Sequence, residues 1–221
     1  MRTIVAATFL SLDGVMQAPG GPEEDPTGGF IHGGWTVPYW DAAMGEVMGK
    51  IFDRPFDLLL GRKTYEIFAA HWPYVGADDP IGPVFNTVTK YVATRSAAPL
   101  TWQNSVALDG DVVAEVKKLK QGDGPLLLLQ GSSDLIQTLL SADLIDQFSL
   151  LTFPLVLGPG KRLFGKGTMP TALKLTDTQV STTGVVMSTY LRDGGITTGS
   201  FQLAEPTEAE KARRARMARE G

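Results

Sequence analysis

An apolar run, a glycine, a basic pair and a hydroxyl follow one another in residues 58–64, which read Leu-Leu-Leu-Gly-Arg-Lys-Thr. The pattern is typical of a buried strand that turns through Gly61 into a helix. Backbone N–H groups at a helix start point outward and favour an anion, and a glycine lets a ligand come close. Arg62 and Lys63 add positive charge and Thr64 adds a hydroxyl, so the stretch predicts a phosphate cradle. A helix that merely begins with a basic pair is the alternative.

The same combination follows the most apolar run of the chain, residues 125–129. Gln130, Gly131, Ser132 and Ser133 lead from this run into a second helical segment. If both junctions lie at one edge of a parallel sheet, they form a crevice suited to a dinucleotide.

Residues 18–34 form a long irregular segment rich in glycine and proline, directly after the first predicted strand. Loops of this length inside a compact domain are usually functional or disordered. We expect a mobile loop beside the ligand site, and a surface insertion without a role is the alternative.

The composition argues against several classes of function. The chain has 221 residues, a formal net charge of −4, two histidines and no cysteine. The acidic balance argues against a general nucleic-acid binder. Without cysteine, disulfides, thiolate metal sites and a cysteine nucleophile are excluded. With so few histidines, we expect no metal site.

No stretch approaches the roughly 20 apolar residues of a membrane span. Asp13 and Gly14 interrupt the first apolar run too early for a signal peptide. We therefore expect a cytoplasmic protein without a membrane partner.

The end of the chain, residues 205–220, is charged and rich in alanine. Glu208 and Glu210 precede several basic residues at helical spacing, which is typical of a solvated helix with i,i+4 pairs. A nucleic-acid-binding tail is the alternative. Acidic residues are interspersed and no aromatic residues interleave, so we expect no nucleic-acid partner.

The order of strands and helices predicts an α/β layered domain with a mainly parallel sheet and antiparallel strands at its end. One helix is predicted over 38–51 and another starting at Tyr65. We assign residues 1–195 to this domain and residues 196–221 to a charged extension. The apolar strand 148–153 is a candidate for pairing across a homodimer.

Several segments together resemble one family. Residues 58–66 resemble the Gly-Arg-x-Thr signature of dihydrofolate reductase-like folds. Residues 144–164, which contain Phe-Pro-Leu-Val-Leu-Gly-Pro-Gly-Lys-Arg-Leu-Phe, resemble the characteristic block of the RibD C-terminal reductase family, and residues 11–14 and 184–190 match its ends. The resemblance covers residues 2–192. It implies a dihydrofolate reductase-like three-layer αβα sandwich with an eight-stranded, mostly parallel mixed sheet, often dimeric, and NADPH as hydride donor.

The resemblance also implies where the cofactor would lie. The residues implied at the pyrophosphate and adenosine phosphate are Gly61, Arg62, Lys63 and Thr64, with Gln130, Gly131, Ser132, Ser133 and Leu135 at the second junction. Those implied at the 2′-phosphate are Thr94, Arg95 and Ser96. Those implied at the nicotinamide are Ala6, Ala7, Leu12 and Gly14. A guanidinium such as that of Arg95 pairs with phosphate through two hydrogen bonds.

One position departs from the family pattern. The family often has Gly-Gly after the fifth strand, where this chain has Gln130-Gly131. In dihydrofolate reductases that peptide is cis. The side chain of Gln130 leaves two possibilities open: the cis bond is kept, or the loop is reshaped.

A reductase of this kind also needs a proton source. The resemblance implies a carboxyl before the Gly-Arg-x-Thr strand, where Asp41 stands. Burial against Trp35, Tyr39 or Trp40 is expected to raise its pKa, as an acid requires. The alternative is that Asp41 caps a helix.

Asp13 is the rival catalytic carboxyl, and a role as a plain turn residue is its alternative. Lys161 and Arg162 are expected to face solvent, with contact to an anionic substrate as the alternative.

These features lead to two hypotheses. The first is an NADPH-dependent reductase of a small heterocyclic or carbonyl substrate, of the riboflavin-biosynthesis type, which acts on an aminouracil ribosylamine phosphate. The zinc deaminase that usually accompanies it is absent from the sequence, because there is no His-x-Glu motif and no cysteine pair. The second is a non-catalytic NADP-binding or regulatory module on the same fold.

Overall fold

The computed structural model describes residues 1–165 and 168–220. The strands in this part of the chain are β1 (Ile4–Ser11), β2 (Phe56–Gly61), β3 (Lys90–Ala93), β4 (Ser105–Leu108), β5 (Leu126–Leu129), β6 (Gln147–Phe153), β7 (Leu173–Val180) and β8 (Val186–Arg192). The helices are α1 (Ala42–Phe52), α2 (Arg62–Ala69), α3 (Gly82–Thr87), α4 (Val112–Gln121), α5 (Ser133–Ser141) and α6 (Glu208–Glu220).

The strands form one mixed sheet in the order β4-β3-β2-β5-β1-β6-β8-β7. All neighbours from β4 to β6 are parallel. The pairs β6–β8 and β8–β7 are antiparallel. Helices lie in the connections between most consecutive parallel strands, β3 to β4 excepted, whereas the turn after Val180 joins the antiparallel β7 and β8 directly. The predicted α/β fold is confirmed.

Helices cover the central part of the sheet on both faces, so the predicted three layers are confirmed. Ile4 and Ala6 of β1 pack in the cluster that includes residues of α4 and α5. Val5 and Ala7 face the opposite cluster, which includes residues of α2 and α3. Burial of both faces explains why the central strands are continuous apolar runs.

Two predicted helix starts are wrong. The helix predicted from residue 38 begins at Ala42, because Val37–Tyr39 form a short 3-10 helix and Trp40 is extended. The helix predicted from Tyr65 begins three residues earlier, directly after Gly61. Arg62, Lys63 and Thr64 therefore form the first helical turn.

The proposed pairing of residues 148–153 across a dimer is also wrong. These residues belong to β6, which is hydrogen-bonded to β1 on one side and to β8 on the other. The strands at the edges of the described sheet are β4 and β7. The homodimer itself stays a prediction.

The C-terminal extension contains α6, which buries none of its residues. Its charges pair along the helix as predicted, for example Glu208 with Lys211 and Glu210 with Arg214. Gly221, the last residue assigned to the extension, lies outside the described residues. No helix among the described residues is long and apolar enough to cross a membrane.

Candidate functional site

The two strand–glycine–helix junctions contact each other. A Cβ atom built on Gly61 would lie 2.2 Å from Oγ of Ser132. A Cβ built on Gly131, whose φ is +147°, would lie 2.7 Å from Oγ1 of Thr64. Glycine is required at both positions because the backbone of each junction meets a hydroxyl side chain of the other.

The cis peptide bond at the second junction lies between Gly131 and Ser132. Of the two possibilities left open at Gln130-Gly131, the cis bond is not at that peptide but one residue later. In the observed loop, Ser132 is the N-cap of α5 and its Oγ accepts a hydrogen bond from the N–H of Leu135.

An open cleft of about 1280 Å³ lies at these junctions, beside the carboxyl ends of β1, β2 and β5. This is the edge at which open α/β sheets bind ligands. Seven of the residues predicted to hold a cofactor line the cleft: Ala7, Lys63, Thr64, Gln130, Gly131, Ser132 and Ser133. The predicted meeting of the two junctions in one crevice is therefore confirmed as geometry.

The other predicted cofactor residues do not line the cleft walls: Ala6, Leu12, Gly14, Gly61, Arg62, Thr94, Arg95, Ser96 and Leu135. Ala6 and Leu135 are buried in the core, and Leu12 is exposed. Arg62 donates to Glu66 and to the carbonyl of Ala98. Arg62 thus links α2 to the loop after β3, the strand that neighbours β2. This loop contains the predicted 2′-phosphate residues.

Asp41 lies outside the cleft walls and caps α1. Its carboxylate accepts hydrogen bonds from the N–H of Met44 and from both the N–H and the hydroxyl of Thr182. The Thr182 hydroxyl and the backbone donors lower the pKa of Asp41. The expected rise of this pKa is wrong, because the carboxylate is surrounded by donors and not by apolar side chains.

Asp13 also lies outside the cleft walls and fixes a neighbouring loop. Burial opposes its charge, but hydrogen bonds from Ser11 Oγ and from the N–H groups of Leu157 and Gly158 outweigh it and lower the pKa of Asp13 to about 2. Arg162 pairs with the same carboxylate at 3.2 Å.

The glycine- and proline-rich segment forms one side of the cleft. Its Asp25 carboxylate pairs with Lys161 at 2.5 Å and with Lys63 at 3.3 Å. The expectation that Lys161 faces solvent is wrong, because it is half-buried in the cleft wall, where it pairs with Asp25. Arg162 is exposed, as expected, and also pairs with Asp13. Asp25 was not singled out in the sequence, where nothing distinguishes it from other acidic residues of the loop.

Glu24, from the same segment, is a cleft carboxyl that sequence reasoning missed. Its Oε2 accepts hydrogen bonds from the N–H groups of Gly20 and Gly21. Burial raises the pKa of Glu24, although these two hydrogen bonds act in the opposite direction. The only feature of the sequence that points to Glu24 is its place in the glycine-rich segment of residues 18–34.

The sequence matches the RibD C-terminal domain over residues 2–187. It is also 26% identical over 198 residues to YyaP, an uncharacterized protein of Bacillus subtilis (strain 168). The alignment covers 87% of this chain and 96% of YyaP.

Solved structures share the fold at low identity. Dihydrofolate reductase from Enterococcus faecalis, complexed with NADP(H) and RAB-propyl, has 14% identity and a TM-score of 0.55 over 86% of this chain and 96% of that one. The diaminohydroxyphosphoribosylaminopyrimidine deaminase/5-amino-6-(5-phosphoribosylamino)uracil reductase of Thermotoga maritima has 16% identity and a TM-score of 0.56, over 87% of this chain and 57% of that one. The chain belongs to the RibD C-terminal domain family, on a dihydrofolate reductase-like fold.

Proposed function

We propose that this protein is an NADPH-dependent reductase of the RibD type that transfers hydride to a small heterocyclic or carbonyl substrate, a class that includes the aminouracil of riboflavin biosynthesis. The contact between the two strand–glycine–helix junctions carries the proposal. It brings the N-termini of α2 and α5 to one cleft, and helix N-termini favour phosphate groups. Membership of the RibD C-terminal domain family supports the same reading.

The residues at the junctions fit a dinucleotide. Side chains at Gly61 and Gly131 would fill the space between the junctions. The N–H groups at the starts of α2 and α5, with the hydroxyls of Thr64 and Ser132, would hold the pyrophosphate, and Arg95, which is exposed after β3, would hold the 2′-phosphate. NADPH would supply the hydride, and the chain would supply orientation, exclusion of water and a proton.

Glu24 is the carboxyl that best fits the proton source. It lines the cleft and its pKa is raised by burial, whereas Asp41 and Asp13 lie outside the cleft walls and have lowered pKa values. A carboxyl that keeps its proton nearer to neutral pH is the better general acid.

The cofactor is tested by titrating the protein with NADPH and with NADH, followed by fluorescence and by thermal shift. We expect micromolar NADPH binding, much weaker NADH binding, and loss of this preference in Arg95→Ala because the 2′-phosphate loses its guanidinium. Lys117→Ala, on the exposed side of α4, is the matched control. If neither nucleotide binds, the reductase proposal is contradicted.

The proton source is tested by Glu24→Gln, with Asp41→Asn and Asp13→Asn as comparisons, in a screen that follows NADPH oxidation. We expect Glu24→Gln to lower kcat by about 10²-fold or more, and to remove the acidic pKa from the pH profile of kcat. If Asp41→Asn gives the larger loss instead, the acid is Asp41 and Glu24 only supports its loop.

A non-catalytic NADP-binding or regulatory module is the second candidate. The lowered pKa values of both carboxyls first predicted as catalytic favour it. Tight NADPH binding without turnover on any heterocyclic or carbonyl compound is the result that would support it.

A further inference from the structure

One wall of the cleft contains a carboxylate held between two ammonium groups. Lys161 Nζ lies 2.5 Å from Oδ2 of Asp25, and Lys63 Nζ lies 3.3 Å from Oδ1. Each lysine also lies 3.0 Å from the hydroxyl of Thr27. Two lysines that converge in this way are suited to an anion, and here the protein provides that anion itself.

Asp25 is fixed in this position by the loop around it. The residue is 8% exposed, and Gln17 Nε2 donates to the carbonyls of Asp25 and Thr27 at 2.9 and 2.8 Å. The Oε1 atom of Gln17 accepts from the N–H of Lys161 at 3.0 Å, and the carbonyl of Gln17 accepts from Trp35 Nε1 at 2.8 Å. These bonds connect the backbone of Asp25 and of Lys161 to one buried glutamine, so the position of the Asp25 carboxylate in the cleft wall is fixed.

The rest of the wall has no surplus of positive charge. The charged side chains that line the cleft are Lys63, Lys161, Glu23, Glu24, Asp25 and Glu66. Glu66 is already paired with Arg62, and Glu23 and Asp25 alone balance the two ammonium groups. A phosphate brought to Lys63 and Lys161 would therefore meet Asp25 at close range, and like charges repel strongly at a partly desolvated site.

The remaining lining is apolar and aromatic. Phe9 and Trp40 meet edge to face, with ring centroids 6.0 Å apart, and Phe52, Phe68 and Trp72 continue the lining. Thr8, a residue 3% exposed, also lines the cleft, and its buried hydroxyl has no hydrogen-bond partner among the described residues. An apolar cleft with a few polar groups suits a flat, uncharged molecule that can hydrogen-bond.

We infer that the substrate is a flat, uncharged compound without a phosphate group, and that Asp25 sets this preference by acting as the fixed counterion of Lys63 and Lys161. The inference rests on the proposed reductase function and narrows its substrate class. It selects against the phosphorylated aminouracil version of the function.

The availability of the lysines is tested by isothermal titration calorimetry with inorganic phosphate, which needs neither NADPH nor turnover. Lys161 is not one of the predicted cofactor residues. Adding Lys161→Met to the wild type and to Asp25→Asn therefore separates phosphate binding at the lysine pair from phosphate binding at the two junctions. We expect Lys161→Met to leave the phosphate affinity of the wild-type protein unchanged. Asp25→Asn is expected to bind phosphate about tenfold or more tightly, because the ammonium groups lose their counterion.

The gain should disappear in the double variant Asp25→Asn with Lys161→Met. Asp123→Asn removes an exposed carboxylate in the loop between α4 and β5 that makes no ion pair among the described residues, and it should not produce the gain. Thermal unfolding of each variant checks that the loop is retained. A tenfold loss of phosphate affinity in Lys161→Met alone, or no gain in Asp25→Asn, overturns the inference.

Ligand preference is tested with riboflavin and riboflavin 5′-phosphate, which share one flat ring system and differ by the phosphate. Quenching of tryptophan fluorescence should show that the wild-type protein binds riboflavin at least as tightly as its phosphate, and that Asp25→Asn reverses the order. A wild-type preference for the phosphate, or no riboflavin binding, contradicts the inference. A failed NADPH titration would remove the reductase proposal and leave both of these results standing.

Discussion

Gly61 and Gly131 show why single residues at the junctions cannot be exchanged. Backbone conformation favours glycine at Gly131, whose φ is +147°, but not at Gly61, which has an ordinary φ of −74°. What excludes a side chain at Gly61 is the Ser132 hydroxyl 2.2 Å from the place of its Cβ. The glycine is therefore needed for a contact between segments about 70 residues apart in the sequence.

Gly61→Ala should separate the two junctions. We expect a loss of about 1–3 kcal/mol in the free energy of unfolding, since overpacking at a close contact costs this much. NADPH affinity should fall with it. Urea unfolding measures the first effect and nucleotide titration the second.

Gly45→Ala is the matched control, because it lies inside α1 with no atom within 4 Å of the added Cβ. Alanine in a helix interior is expected to stabilise the protein slightly relative to glycine. Equal behaviour of the two variants would show that the junctions can move apart without cost.

At the scale of elements, the cleft is bounded by loops that charged residues hold in place. Asp13 fixes the loop after β6 through Leu157, Gly158 and Arg162. The next part of that loop carries Lys161, which binds Asp25 of the glycine- and proline-rich segment. The two loops therefore form one connected wall.

Asp13→Ala should loosen this wall. The half-buried N–H groups of Leu157 and Gly158 would lose their acceptor, so we expect a loss of about 1–2 kcal/mol in the free energy of unfolding. Because the folded-state pKa is lowered to about 2, the stabilisation is present above about pH 4 and is lost as the pH falls toward 2.

Urea unfolding of both proteins between pH 7 and pH 2.5 provides the measurement. The difference between wild type and Asp13→Ala should shrink across the acidic range, while Asp109→Ala at an exposed loop position should track the wild type throughout. A difference that does not change with pH would assign the loss to packing and not to the carboxylate.

At the scale of the whole molecule, the sheet and its two helical layers end before the extension. The last strand ends at Arg192, and Ala172 pairs with the backbone of Asp193 and Gly194. Among the described residues, the side-chain hydrogen bonds of the extension all lie within it. The boundary between domain and extension at residue 195 stays a prediction, and it can be tested by removing the extension.

Removal of residues 196–221 should leave the folded domain intact. We expect the Tm to stay within about 2 °C of the full chain, because α6 buries no residue. Differential scanning calorimetry of both chains is the measurement, and light scattering on the same samples tests the predicted homodimer. A large fall in Tm would show that the extension unfolds together with the domain. If the full chain binds DNA in a salt-dependent way and the shortened chain does not, the nucleic-acid-binding alternative is supported.

The sequence by itself determined the α/β architecture and the two strand–glycine–helix junctions. Continuous apolar runs such as β5 require burial on both faces, and glycine–hydroxyl–cation sequences at strand ends require helix starts there. These are local properties of the chain, so the order of strands and helices and the helix caps at Asp111 and Asp41 could be predicted. Phosphate binding by residues 61–64 stays a prediction.

Only the tertiary structure decided which groups meet across the cleft. Asp25 pairs with Lys63 and Lys161 from segments far apart in the sequence. The direction of a carboxyl's pKa depends on such partners: Asp41 finds Thr182 as a donor, whereas Glu24 is desolvated. Sequence spacing contains no information about these contacts, because burial and hydrogen bonding at a site depend on chain segments that meet only after folding.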